Sequence, residues 1–209
     1  MAIDDLPDEH EQGERVRTWL RENGFGILAG IVVAFALVGG WRWWQGNQHA
    51  KRVDAGMTYQ RMVADLAGGD LADAQRQVAA LQGGSYGVLA ALDLARAQVE
   101  AGQHEAAIQT LQGADANDPA LEPIRRQRLG LLLIDAGRAE EAVALLRDAS
   151  DATGLETLGD AHAALDQDAE ARTAYTRALA QTDVASPGRG LIEIKLAAAG
   201  GEPTPDEAS

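Results

Sequence analysis

Residues 94–119 read LARAQVEAGQHEAAIQTLQGADANDP, and residues 129–149 repeat the frame as LGLLLIDAGRAEEAVALLRDA. A third copy at residues 158–178 reads LGDAHAALDQDAEARTAYTRA. Each opens on a large residue followed by a small one: Leu94-Ala95, Leu129-Gly130 and Leu158-Gly159. Seven positions after the small residue stands Gly102, Gly137 or Asp166, and five further on stands Ala107, Ala142 or Ala171. This spacing predicts antiparallel helix pairs: the small residues let paired helices approach, and larger ones fill the gaps between pairs. Gly102 and Gly137 predict left-handed caps at the end of each first helix, and Asp visits that conformation more readily than most residues. Pro119 predicts the stop of the second helix in its unit. An irregular bundle with recurring alanines explains one such copy equally well; three copies in one frame favour the repeat.

Upstream, a degenerate unit runs from about Val53 to Leu66, turns at Gly68-Gly69 and continues from Leu71 to Leu81, with Ala74 at the close-approach position. That makes about four helical hairpins. Downstream, Leu191-Ile192-x-Ile194-x-Leu196 follows Ser186-Pro187 and predicts a helix capping the open end. Of the nine aromatic residues six precede residue 50, and the remainder of the chain is rich in Ala, Leu, Gln, Glu and Arg, which favour helix over sheet. The fold expected after residue 45 is an all-α solenoid of the tetratricopeptide (TPR-like) kind.

Towards the N-terminus the pattern changes. From Asn23 to Trp41 there is no ionisable residue, and Phe25 to Trp44 makes twenty residues, or about 30 Å of helix, the thickness of a hydrocarbon core. Trp19 precedes the run and Trp41, Trp43 and Trp44 follow it, where indoles sit at headgroup level. A buried core helix and a cleavable signal peptide are the rival readings. The segment is apolar all round, which disfavours the first, and seven acids against three bases in residues 1–24 disfavour the second. The expected organisation is an acidic leader (1–22), one transmembrane helix (23–44), the repeat domain (45–199) and a disordered tail (200–209). Arg15, Arg17 and Arg21 before the span are balanced by Arg42, Lys51 and Arg52 after it, so charge bias leaves the orientation open. Gly26, Gly30 and Ala34 form one small-residue stripe suited to membrane helix packing.

The formal net charge is −14, and residues 45–209 hold 25 acids against 14 bases. That field repels nucleic acid; the densest basic cluster, Arg125, Arg126 and Arg128, reads as a solvated helix face. The absence of cysteine removes disulfides and thiolate chemistry. His10, His49, His104 and His162 are scattered without metal-ligand spacing, and His162 falls at a helix-packing position. No Walker loop, dinucleotide fingerprint or nucleophile elbow is present, and Glu140-Glu141 open a helix where negative charge suits the dipole. The expectation is a non-enzyme with no metal, cofactor or small-molecule substrate. What remains is surface: the first helix of each pair lines the inner wall of such a stack, where a peptide or partner helix docks. By frame the groove positions are Arg96, Val99, Leu131, Ile134, Asp160 and Ala163; the alternative is that they merely pack against neighbouring helices. Leu89, Leu92 and Arg96 stand where carboxylate-gripping TPR modules use Lys and Asn, which disfavours such a clamp.

Several stretches together give a family likeness over almost the whole length. They are Glu22-Asn23-Gly24 entering the span, Gly40-Trp41-Arg42-Trp43-Trp44 leaving it, Tyr86-Gly87-x-Leu89-Ala90-x-Leu92-x-Leu94-Ala95, and Ile194-Lys195-Leu196. In these the chain resembles the YfgM family, ancillary subunits of the SecYEG translocon, departing from it in the longer acidic leader and the Gly/Pro tail. The resemblance implies a bacterial inner-membrane adaptor with a cytoplasmic N-terminus and a periplasmic repeat domain. It implies as partners the translocon, the PpiD-like periplasmic chaperone and emerging secretory chains, and it implies a link to envelope stress signalling through RcsB. A self-associating envelope scaffold is the alternative.

Overall fold

The computed structural model describes residues 9–81, 83–114 and 118–202, and among them are helices and no strand. The helices are α1 (Glu9–Ala67), α2 (Leu71–Ala80), α3 (Gly84–Glu100), α4 (His104–Gly113), α5 (Glu122–Asp135), α6 (Ala139–Leu146), α7 (Ala152–Ala163), α8 (Asp168–Ala180) and α9 (Arg189–Ala198). The chain divides into two compact units, Met1–Asp54 and Ala55–Ser209.

In the first unit α1 is long and apolar enough to cross a membrane, and none of its apolar window is buried. From Leu28 to Asn47 every side chain is exposed, Phe35, Leu37 and Val38 included. A helix stretch that is apolar on all sides and left exposed is a poor solute in water and a good one in hydrocarbon. The rings of Trp41 and Trp44 lie 5.4 Å apart at its far end.

The second unit is the repeat. Four hairpins follow one another: the last turns of α1 with α2, α3 with α4, α5 with α6, and α7 with α8, with α9 packed on α8. Met62, Ala74, Leu81, Ala90 and Leu94 form the core of the first hairpin and its neighbour. A central core joins Ala91 and Ala95 of α3, Ala107, Ile108 and Leu111 of α4, Leu129 and Leu133 of α5, and Ala161 of α7. A third cluster seats α9 through Ile192 and Leu196 against Tyr175, Ala178 and Leu179. The small-residue positions are where helices touch: Ala74, Ala107, Ala142 and Ala171 have no exposed surface. A Cβ on Gly130 would stand 2.8 Å from Leu146 Cδ1.

The turns repeat as closely as the helices. Gly102 (φ 74°), Gly137 (φ 73°) and Asp166 (φ 56°) all adopt the left-handed conformation. In each case the next N–H reaches back to the last turn of the first helix: Gln103 to Gln98 O at 2.7 Å, Arg138 to Leu133 O at 2.7 Å and Gln167 to His162 O at 3.0 Å. These bonds satisfy carbonyls that the helix end leaves unpaired. Asp166 is the one described non-glycine residue held there. Asp166→Gly is therefore expected to stabilise the domain by about 0.5–1 kcal/mol, the relief of left-handed strain exceeding the added entropy of the unfolded chain. Thermal melting of the two proteins checks this, and a lower midpoint for the variant contradicts it.

Two expectations need correction. α4 ends at Gly113, where Ala114 turns extended (φ −71°, ψ 128°), so Pro119 lies beyond the helix and does not stop it. The arginine cluster is not a solvated face either. Arg125 is buried: it makes two bonds to Glu122 (2.8 and 2.9 Å) and gives its third to Leu111 O in the last turn of α4 (2.7 Å). Arg126 donates to Leu145 O near the end of α6, and only Arg128 faces solvent. α4 and α6 carry no basic residue in their own last turns. Each borrows a guanidinium from α5, whose charge complements the carbonyl end of the helix dipole. Arg172 does the same for Ala199 O at the end of α9, at 2.7 Å.

Candidate interaction surface

The six groove positions lie six and three residues before the left-handed turn residue of α3, α5 and α7. The structure therefore brings them to equivalent places on successive first helices, but they are not equally free. Val99 and Ile134 are half-buried against the central core. Asp160 accepts hydrogen bonds from Tyr175 Oη at 2.9 Å and Lys195 Nζ at 2.8 Å. Arg96 is exposed and pairs with Glu100 at 3.7 Å, Ala163 is exposed, and Leu131 is half-buried. Leu89 and Leu92 are also half-buried.

The same register adds two positions to the expected row, Val63 and Ile194. Gly69 (φ 80°) ends the α1 turns and Gly200 (φ 79°) ends α9, each with the bond pattern of the other hairpins. Gly201 N–H, for instance, meets Leu196 O at 2.9 Å. α9 is thus a fifth first helix, and its position equivalent to Arg96 and Leu131 is Ile194. Ile194 is 68% exposed and its neighbour Leu191 53%, while at the other end of the row Val63 is 41% exposed. Gly200 in frame with Gly102 and Gly137 is the sequence signal that marks them.

Polar clusters in the domain are structural. Lys195 Nζ sits 2.6 Å from Glu156 Oε1 as well as 2.8 Å from Asp160, welding α9 to α7. Burial alone works against the Lys195 charge, but the bonds to Asp160 and Glu156 outweigh it and raise its pKa above the ordinary value of 10.5. Burial and the adjacent Asp160 carboxylate likewise raise the Tyr175 hydroxyl. Tyr59 donates to Asp93 at 2.7 Å, and that bond, with burial, pushes its pKa up to about 12. Asp151 caps α7 by accepting from Gly154 N at 2.9 Å. Burial opposes its charge, yet the bonds from Thr153 and Gly154 lower its pKa. His162, half-buried, shares a 2.7 Å bond with Gln167, and among the described residues no three His, Cys, Asp or Glu side chains converge on a point that would hold a metal. In the first unit Gly26, Gly30 and Ala34 are exposed, with no atom within 4 Å of a Cβ built on either glycine.

A stack of Gly-turned hairpins following one unburied apolar helix defines the class, a TPR-like solenoid carrying a membrane-length helix. A family described as "Tetratricopeptide repeat-like domain" matches residues 17–201. The chain is 32% identical over 143 residues to the "Ancillary SecYEG translocon subunit" of Escherichia coli (strain K12), covering 66% of this chain and 69% of that one. It is 26% identical over 198 residues to the protein of the same description from Aggregatibacter actinomycetemcomitans, covering 90% and 96%. It therefore belongs to the YfgM family of TPR-like proteins, the ancillary SecYEG translocon subunits. Among solved structures, a putative kinesin light chain from Podosopora anserina with nearly identical TPR-like repeats superposes with a TM-score of 0.51. That likeness covers 68% of this chain and 83% of the other at 19% identity, and it speaks to the fold alone.

Proposed function

We propose that this protein is a non-catalytic, membrane-anchored adaptor of the Sec translocon. In this reading residues 1–22 lie in the cytoplasm, 23–44 span the inner membrane and 45–199 stand in the periplasm, with the expected tail from residue 200 starting at the bonded Gly200-Gly201 turn and not free there. The repeat domain offers its first-helix row, Arg96, Leu131, Ala163 and now Ile194, to a PpiD-like periplasmic chaperone or to emerging secretory chains. The observation that carries the reading is the 32% identity to the Escherichia coli subunit, which extends over two thirds of each chain. Gly26, Gly30 and Ala34 supply the face on which the span meets translocon helices; in the alternative scaffold reading they meet a second copy of the same span.

Affinity purification of the full chain from mildly solubilised membranes is expected to recover SecY together with the chaperone. Ile194→Asp, a surface change, is expected to lower chaperone recovery about tenfold or more while SecY is retained, since a charge in place of an interface anchor costs about 2 kcal/mol or more. Intact SecYEG recovered from the same membranes without this chain defeats the proposal. A C-terminal alkaline phosphatase fusion that stays inactive defeats the orientation.

A further inference from the structure

We propose that the turns of α1 just beyond the apolar run form a binding site for the headgroup of an anionic phospholipid. The inference rests on reading that run as a membrane span. In a chain of net charge −14, no acid occurs between Glu22 and Asp54, and the charged residues there are Arg42, Lys51 and Arg52. All three are exposed, and the ion pairs among the described residues all lie beyond residue 70, so no carboxylate neutralises them.

Their arrangement is more than a charge count. Arg42, Gln45, Gly46, His49 and Arg52 follow one another at helical spacing on one face, and an open recess of about 710 Å³ lies there, walled on its side by Trp44 and Gln48. Gly46 lies within that recess, and the space its Cβ would enter is open. Arg42 precedes Gly46 by four residues and Arg52 follows by six, about 6 and 9 Å along the axis. A phosphate beside Gly46 therefore lies between two guanidinium charges, and the His49 imidazole and the Gln45 and Gln48 amides supply further donors. The paired Trp41 and Trp44 rings set this cradle at the level of the bilayer surface, where indoles lie against the glycerol region. A soluble anion lacks that apolar contact, and a lipid is already concentrated in the plane of the recess.

Native mass spectrometry of the full chain, released from micelles holding equal amounts of phosphatidylglycerol and phosphatidylcholine with matched acyl chains, tests this. Phosphatidylglycerol adducts are expected to dominate. Arg42→Gln with Arg52→Gln is expected to cut them by about fivefold for each charge removed, leaving phosphatidylcholine adducts unchanged. Glutamine keeps the helix, which circular dichroism verifies. Gly46→Leu preserves every charge but fills the recess, and it too is expected to reduce phosphatidylglycerol retention. Equal retention of the two lipids overturns the proposal, as does a preference that survives the double substitution. Indifference to Gly46→Leu reduces the site to diffuse attraction and overturns it as well. Displacement by millimolar inorganic phosphate would reassign the site to a free anion. Failure of the span reading is distinguishable, since alkaline carbonate would then strip the chain from membranes.

Discussion

Gly159→Ala is expected to destabilise the repeat domain by about 2–3 kcal/mol and to lower its melting temperature by roughly 6–10 °C. In an open helix the same change is worth about 1 kcal/mol in the opposite direction, because alanine is the better helix former. The sign reverses here because α7 and α8 meet at this point. A Cβ on Gly159 would stand 2.4 Å from Tyr175 Cε1 and 2.5 Å from Cδ1. The ring cannot yield: Tyr175 is 3% exposed, packs with Ala171, Ala178 and Ile192, and is held by its hydroxyl on Asp160. The helices must separate instead, and the damage spreads to α9, which rests on the same ring. Melting curves for Gly159→Ala, Tyr175→Leu and the double variant give the check. The double variant should lose less than the sum of the single ones, since leucine removes the ring edge that the new methyl would meet. Additive losses would mean that the close approach is not the cause.

The frame that leads to this prediction was legible in the sequence because helix pairing imposes hard spacing rules. A small residue seven positions before a left-handed turn has few alternatives, and Gly130, Gly159, Gly102, Gly137 and Asp166 all occupy the places that the spacing requires. The apolar run was legible for a similar reason, since length and composition alone decide what a bilayer accepts. Tertiary roles of long polar side chains were not. Arg125, Arg126 and Arg128 are alike in sequence, and their fates differ because α4 and α6 end beside two of them with unpaired carbonyls. That proximity is a property of how hairpins stack, which no local pattern encodes. The candidate groove shows the same division: register located Arg96, Leu131 and Asp160 at equivalent positions, but Asp160 is taken up by Lys195, 35 residues away. Ile194 falls outside the expected row because the pattern of α9 marks it only as a cap on the stack, although Gly200 repeats the turn that ends each first helix.

Lys195→Met is expected to cost about 2–3 kcal/mol, a figure reduced from the usual range for buried pairs because the ammonium and both carboxylates retain some exposure. The loss arises from what is left behind. Glu156 and Asp160 remain side by side between α7 and α9 with their shared cation gone, and their mutual repulsion bears on the contact that closes the stack. Neutralising all three, with Lys195→Met, Glu156→Gln and Asp160→Asn together, is expected to recover much of the stability, because the charges and their desolvation cost leave together. The wild-type pH profile follows from the same groups. Lys195 and Tyr175 both have pKa values raised by folding, from ordinary values of 10.5 and 10.0. In the alkaline range the folded state therefore holds more protons than the unfolded one, and stability falls as pH rises. Their contribution is complete below about pH 10 and is lost as pH climbs through the raised values, Tyr59 at about 12 adding to the decline. The acid limb has the opposite sign: Asp151, lowered by folding, contributes above its ordinary value of 3.8 and loses that contribution as pH drops. Urea melts from pH 3 to pH 11 should show a plateau between the two limbs and a shallower alkaline fall in the triple variant. An alkaline limb of equal steepness in both proteins would show that Lys195 and its carboxylates do not hold α9 in place.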